Sequence, residues 1–226
     1  MIKIWHISDT HGYHDLLEVP EGIDMVIYSG DCANYRDVVR NLNEVWNFIE
    51  WYSSLDIPTK VFVGGNHDTS IEERMVIPQD FSTYGITYIE NETIELNGLK
   101  IFGSPYSPTF NNWSWNKSRE KLERIWRNII EEDTDIVITH GPPKGILDLS
   151  IDRRGRLENC GDKALLNRVK EVNPKLHLFG HIHNYRNIIN AGTRTLPDGD
   201  TIYSNASMMA DGMFGIKTSN GNIFEL

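Results

Sequence analysis

Cysteine is scarce: Cys32 and Cys160 are the two in 226 residues. That excludes a disulfide framework and leaves free thiols, the state expected in a reducing compartment. Positive charge is in deficit, with 22 Lys and Arg against 32 Asp and Glu and a formal net charge of −10. A chain this acidic lacks the basic footprint that long duplex nucleic acid requires. An anionic substrate remains admissible, because bound divalent cations reverse the local field. No apolar run approaches roughly 18 residues, so no membrane span is expected. The first residues carry neither a basic n-region nor a long apolar h-region, so no signal peptide is expected and the location reads as cytoplasmic. No repeat or low-complexity tract is visible.

What is present suits one domain over residues 1–226. Apolar residues make up 39% and charged residues 24%, the balance of a globular protein. Six Trp, eight Phe and nine Tyr supply a sizeable core. Short apolar runs at 2–8, 24–30, 60–65, 100–104, 135–141 and 175–181 read as strands. Amphipathic stretches at 36–54, 117–132 and 162–172 read as helices, the first with Val38, Leu42, Val45, Trp46 and Ile49 on one face. That alternation predicts βαβ units in a layered α/β domain. Further strands near 86–89, 92–97, 186–190 and 201–205 predict a second, partly antiparallel sheet, with helices outside both sheets.

Polar clusters follow almost every strong strand. Asp9 and His11 follow the first, Asp31 the second, and Asn66-His67-Asp68 the third. His140 follows the fifth, and His181 with His183 the sixth. Ligand sites in open α/β sheets gather at the carboxyl ends of strands. A carboxylate and an imidazole at the mouth of a buried strand are costly to dehydrate unless both face a cation. Imidazole and carboxylate without thiolate favour Mn, Fe or Zn ions. The set exceeds the needs of one ion. Two ions sharing a bridging carboxylate, roughly 3.5–4 Å apart, would clamp an in-line displacement at phosphorus. A lone histidine or a lone Gly-Asn-His-Asp turn would be ordinary loop chemistry; five separate segments that each follow a strand are not.

The motifs D-x-H (Asp9, His11), G-D (Gly30, Asp31), G-N-H-D (Gly65 to Asp68), T-H-G (Thr139 to Gly141) and G-H-I-H (Gly180 to His183) occur in that order. Together they resemble the calcineurin-like metallophosphoesterases. The segments ITHGPPKGILD, NPKLHLFGHIHN and DGDTIYSNAS resemble the metallophosphoesterase-domain-containing phosphodiesterase subgroup. The resemblance implies a four-layer α/β/β/α sandwich of two mixed sheets flanked by helices, with two divalent ions at the strand carboxyl ends, manganese first and iron or zinc as options. It implies that Asp9, His11 and His183 hold one ion, that Asn66, His140 and His181 hold the other, and that Asp31 bridges them. A hydroxide between the ions would attack phosphorus, and His67 would stay off the metals and protonate the leaving oxygen. An imidazole titrates near neutrality and suits that task. Asp68 is an outer partner for a ligand or for His67. The implied substrate is a small phosphodiester or a nucleotide, cyclic nucleotides above all. A phosphomonoesterase and a nuclease for short or single strands use the same motifs. Protein phosphatases of the superfamily show Asp-Arg-Gly after Gly-Asp, where this chain has CANYRD. A scaffold without chemistry should have lost ligands or the proton donor, and all eight residues are here.

Other residues read more plainly. His6 and His177 lie within strands and read as structural, while His14 stands close enough in sequence to approach the cleft. Cys32 reads as packing behind Asp31. The stretch WNFIEWY (46–52) reads as core at helical spacing. Trp113 and Trp115, in a loop, read as a lid packed on the sheet or as a platform for a nucleobase. These aromatics, or the late strands, offer a seam for a homodimer. Arg153, Arg154 and Arg156 read as a solvated loop, with bidentate phosphate contact as the alternative. Asp162 reads as a helix N-cap.

Overall fold

The fold is that of a computed structural model describing residues 1–211 and 213–226, with all of their side chains except those of 213–215. Two large mixed sheets stack face to face. The first has the order Asn222–Glu225, Lys3–Ile7, Met25–Ser29, Thr59–Val63, Thr87–Tyr88, antiparallel in its first pairing and parallel in the rest. The second runs Gly192–Arg194, Ile202–Asn205, Leu176–Phe179, Ile136–Thr139, Leu99–Ser104, Glu92–Leu96, parallel in the middle and antiparallel at both ends.

The period-two alternation of strand side chains explains the layering. Ile4 faces an apolar cluster shared with Met25, Ile27, Val61, Ile136, Ile138 and Leu178, the core between the sheets. Trp5 and Ile7 face the other way, onto Val45, Phe48, Ile49 and Tyr52 of the Val38–Ser54 helix. Phe102, Val137, Phe179 and Tyr203 on the outer face of the second sheet meet Leu122 and Trp126 of the Arg119–Ile129 helix and Leu165 and Val169 of the Lys163–Val172 helix. Helix, sheet, sheet, helix is thus the order through the molecule. Each long helix starts on a side chain that accepts a backbone N–H: Asp37 from Arg40, Ser118 from Lys121, and Asp162 from Leu165.

The six strong strands divide three and three between the sheets, and the weaker ones extend both. Residues 87–88 join the first sheet, while 92–96 and 202–205 join the second. The expected strand at 186–190 does not form. Tyr185 and Ile188 close a tight turn through mutual backbone hydrogen bonds, with Arg186 left-handed at φ 51°. Asn184 Oδ1 accepts from the N–H groups of Asn190 and Ala191, which takes those donors from any ladder. Ile189, an apolar residue suited to a strand, is 76% exposed. The strand of this region comes later, at Gly192–Arg194. Residues 152–156 form the tip of a hairpin between Leu149–Ile151 and Leu157–Asn159, with Asp152 gripping Arg156.

Candidate metal centre

Where the strands end, the backbone leaves its ordinary range. Asp9, His11, Asp31 and His181 all have positive φ, between 46° and 71°. Non-glycine residues adopt that conformation at a cost of roughly 1–3 kcal/mol each. Two glycines let the loops meet. A Cβ on Gly30 would collide with His140 Nδ1, and one on Gly180 would collide with Asp9 Oδ2. Neither could be built without driving the first-sheet and second-sheet loops apart.

All eight residues singled out in the sequence come together. Asp9 Oδ1 lies 3.1 Å from His183 Nε2, whose ring faces His11 with Nε2 to Nε2 at 3.3 Å. On the other side His140 Nε2 lies 2.8 Å from Asn66 Oδ1 and 3.2 Å from His181 Nδ1. Asp31 sits between the two groups, with Oδ2 3.9 Å from His11 Nε2 and 3.3 Å from His140 Nε2. Suitable ligand atoms lie within 4.8 Å of one another in three sets: Asp9, His11 and His183; Asp31, His140 and His181; and His11, Asp31 and His67.

Outer partners aim the imidazoles. Nδ1–H of His11 donates to the Ala33 carbonyl and Nδ1–H of His140 to the Ser29 carbonyl. His183 Nδ1 lies 2.9 Å from the Asp211 carboxylate. With Nδ1 engaged, Nε2 of each ring points inward. Nitrogen lone pairs 3.2–3.3 Å apart are tolerable only with a proton or a cation between them. The charge pattern agrees. Burial pulls His140 and His183 down, but Asp31 and Asp9 beside the first, and Asp211 and Asp9 beside the second, outweigh it and raise them to about 9 and about 10. Burial holds His11 and His181 down at about 3. Burial alone would raise Asp31 and Asp9, yet the surrounding histidines hold both below the usual carboxylate range. Two protonated imidazoles thus do for two carboxylates what divalent cations would do, and the donor set fits such ions.

His67 falls within ligand distance of His11 and Asp31 but differs in its surroundings. Its backbone N–H donates to Asp31 Oδ1 at 2.7 Å, its Nδ1–H donates to the Asn34 carbonyl at 3.1 Å, and its ring is partly exposed. Asp68 does not touch that ring. Its carboxylate accepts from the N–H groups of Asp31, Ala33 and Gly65 and from the Cys32 thiol, so it shapes the loop that presents Asp31. Burial, with Asp68 beside it, pushes the Cys32 thiol well up, which makes it packing and not a nucleophile. His14 does not reach the centre; it is buried on Phe48 and Trp51. Trp115 is buried over Gly64, while Trp113 stacks on His67. Sequence reasoning missed Asp211, Asn34 and Ser207, whose hydroxyl donates to Asp9 Oδ2. No motif marks them, since each is defined by a neighbour distant in the chain.

Residues 2–185 match the family model for calcineurin-like phosphoesterase, and the chain belongs to that family. It is 34% identical over 226 aligned residues to metallophosphoesterase domain-containing protein 1 of Homo sapiens, which covers 89% of this chain and 64% of that protein. The chain thus spans less than two thirds of that curated relative. It is 31% identical over 220 residues to UPF0046 protein C25E10.12 of Caenorhabditis elegans, covering 89% of this chain and 73% of that one. The solved structure of TT1561 of Thermus thermophilus shares the fold, with a TM-score of 0.59 at 16% identity over 92% of this chain and 91% of that one. The family uses divalent metals, and the grouped Asp and His residues are candidates to hold them. Among the described residues no helix is long and apolar enough to cross a membrane.

Proposed function

We propose that the protein is a dinuclear metal-dependent phosphodiesterase acting on small phosphodiesters, with cyclic nucleotides as the first substrates to try. The position of Asp31, with one carboxylate oxygen between the His11 and His140 groups, carries this reading. Asp9, His11 and His183 would hold one ion, Asn66, His140 and His181 the other, and Asp31 both. Manganese is the ion expected, with iron and zinc compatible with the same ligands. Such ions supply positive charge to a phosphoryl oxygen and acidify water. The chain's own part is to hold the phosphate in place and deliver a proton. With Nδ1–H donated to Asn34, His67 keeps Nε2 for the leaving oxygen. The preference for diesters rests on the likeness to the phosphodiesterase subgroup. The two unpaired thiols support a cytoplasmic setting.

The test is turnover of bis-(p-nitrophenyl) phosphate against p-nitrophenyl phosphate with added Mn²⁺. Faster cleavage of the diester is expected; a monoester preference would overturn that part. On a cyclic nucleotide, whose alkoxide leaves poorly, His67→Ala should slow turnover by about 10²–10⁴ with both ions retained. Ion loss in that variant would overturn the role of His67, and full activity after verified metal removal would overturn the mechanism.

A further inference from the structure

Three planar groups lie in a stack at the rim of the centre. The Trp113 ring is 3.9 Å from the His67 ring, centroid to centroid, at 27°. On Trp113 the Arg36 guanidinium carbon sits 3.6 Å from the ring centroid. Arg36 is exposed, Trp113 partly buried, and His67 faces His11 edge-on at 4.7 Å. With partners on both faces, Trp113 has no bare face to offer a nucleobase.

The loop that delivers Trp113 is built around the Gly-Asn-His-Asp segment. Ser114 N–H donates to the Asn66 carbonyl at 3.2 Å, and Trp115 N–H donates to Glu72 Oε1 at 2.8 Å. Ser114 Oγ meets Thr69 Oγ1, and the Trp115 ring fills the space above Gly64. Arg36 Nη2 donates to the Asn111 carbonyl, which ties the outer member of the stack to the same loop. Asn111, Asn112 and Trp115 all have φ near 50°, an unusual conformation for tryptophan that surrounding contacts must hold. These contacts bracket the residues on either side of His67 and place Trp113 flat on its ring.

We infer that Trp113, backed by Arg36, is a positioning residue that fixes the plane of the His67 imidazole. The Asn34 carbonyl fixes one nitrogen of that ring but leaves it free to tilt about the hydrogen bond. Trp113 removes the tilt, so that Nε2–H meets the leaving oxygen in line. The proton passes from Nε2 to the departing alkoxide or phenoxide as the phosphorus–oxygen bond breaks. This rests on the reading of His67 as proton donor, and the experiment separates the two.

The experiment is a double-mutant cycle on two aryl diesters, bis-(p-nitrophenyl) phosphate and diphenyl phosphate, the second with the poorer leaving group. Trp113→Ala should lower kcat on diphenyl phosphate by about 10- to 100-fold, less on the nitrophenyl diester, with KM little moved. Trp113→Phe should restore most of it. In the His67→Ala background, Trp113→Ala should change the rate by no more than about twofold. Equal losses in both backgrounds, or an effect on KM alone as a base platform would give, would overturn the positioning role. A His67→Ala enzyme with full rate on diphenyl phosphate would instead overturn the proton-donor reading, and this inference with it.

Discussion

His6 and His177 are as far from water as His11 and His140, yet the two pairs do opposite things. His6 lies between the sheets and shares hydrogen bonds with Ser204 Oγ at 2.8 Å and Ser29 Oγ at 2.9 Å. His177 bonds to Thr139 Oγ1 at 2.9 Å. Both sit on regular strands, and burial holds both at about 3, so both are neutral. The centre's histidines sit just past the strands or in left-handed loops, meet carboxylates and one another, and divide into two protonated and two neutral rings. Burial is common to both regions. What differs is the partner: a hydroxyl for His6 and His177, and for the centre's rings another ligand atom, which leaves them dependent on a proton or a cation.

The largest effect that could break this contrast belongs to Asp31. Asp31→Asn should weaken both ions together by more than about 100-fold, beyond the loss expected for an outer partner, as read by metal content after dialysis. Loss of one ion alone would show that Asp31 does not bridge. The protons come next. A metal binds deprotonated imidazole, and His140 and His183 are raised to about 9 and about 10, so each set must expel one proton on loading. Affinity should therefore fall as pH falls below these values, by about tenfold per pH unit for each ion, in calorimetric titrations between pH 6 and 8. A flat profile would mean that the two rings are neutral before loading. Asp211→Asn should cost about 10- to 100-fold in affinity for the ion near His183, with the other ion unaffected. Last, His6→Ala should lower stability by about 1–3 kcal/mol, through the stranded Ser29 hydroxyl and the lost bond to Ser204, which keeps Asn222, while metal content stays whole. Metal loss in that variant would erase the distinction between the two regions.

The legible part of the site was the part that follows a strand at once. Asp9, Asp31, Asn66, His140 and His181 could be seen because apolar runs ended on them. The three long helices could be seen from apolar spacing, and Asp162 from its place before one of them. Asp211 and Asn34 could not, because each acquires its meaning from a ring brought to it by folding; Trp113 stood out as a lid or a base platform, but its stacking on His67 has the same hidden origin. The sheets were only half legible. Apolar runs reveal strands but not partners, so the three-and-three division and the place of residues 87–88 in the first sheet needed pairing geometry. The 186–190 segment misled for a local reason: Ile188 and Ile189 look like strand residues, while the Asn184 side chain takes the backbone donors a strand would use.

Each proposed set draws on both sheets: Asp9 and His11 with His183, and Asp31 and Asn66 with His140 and His181. An ion in either place is therefore also a rivet through the seam of the sandwich. Loading should make the two halves melt as one, and stripping should let that edge gape first, visible as faster amide exchange in the loops flanking the seam. Catalysis and mechanical cohesion would then be supplied by the same atoms.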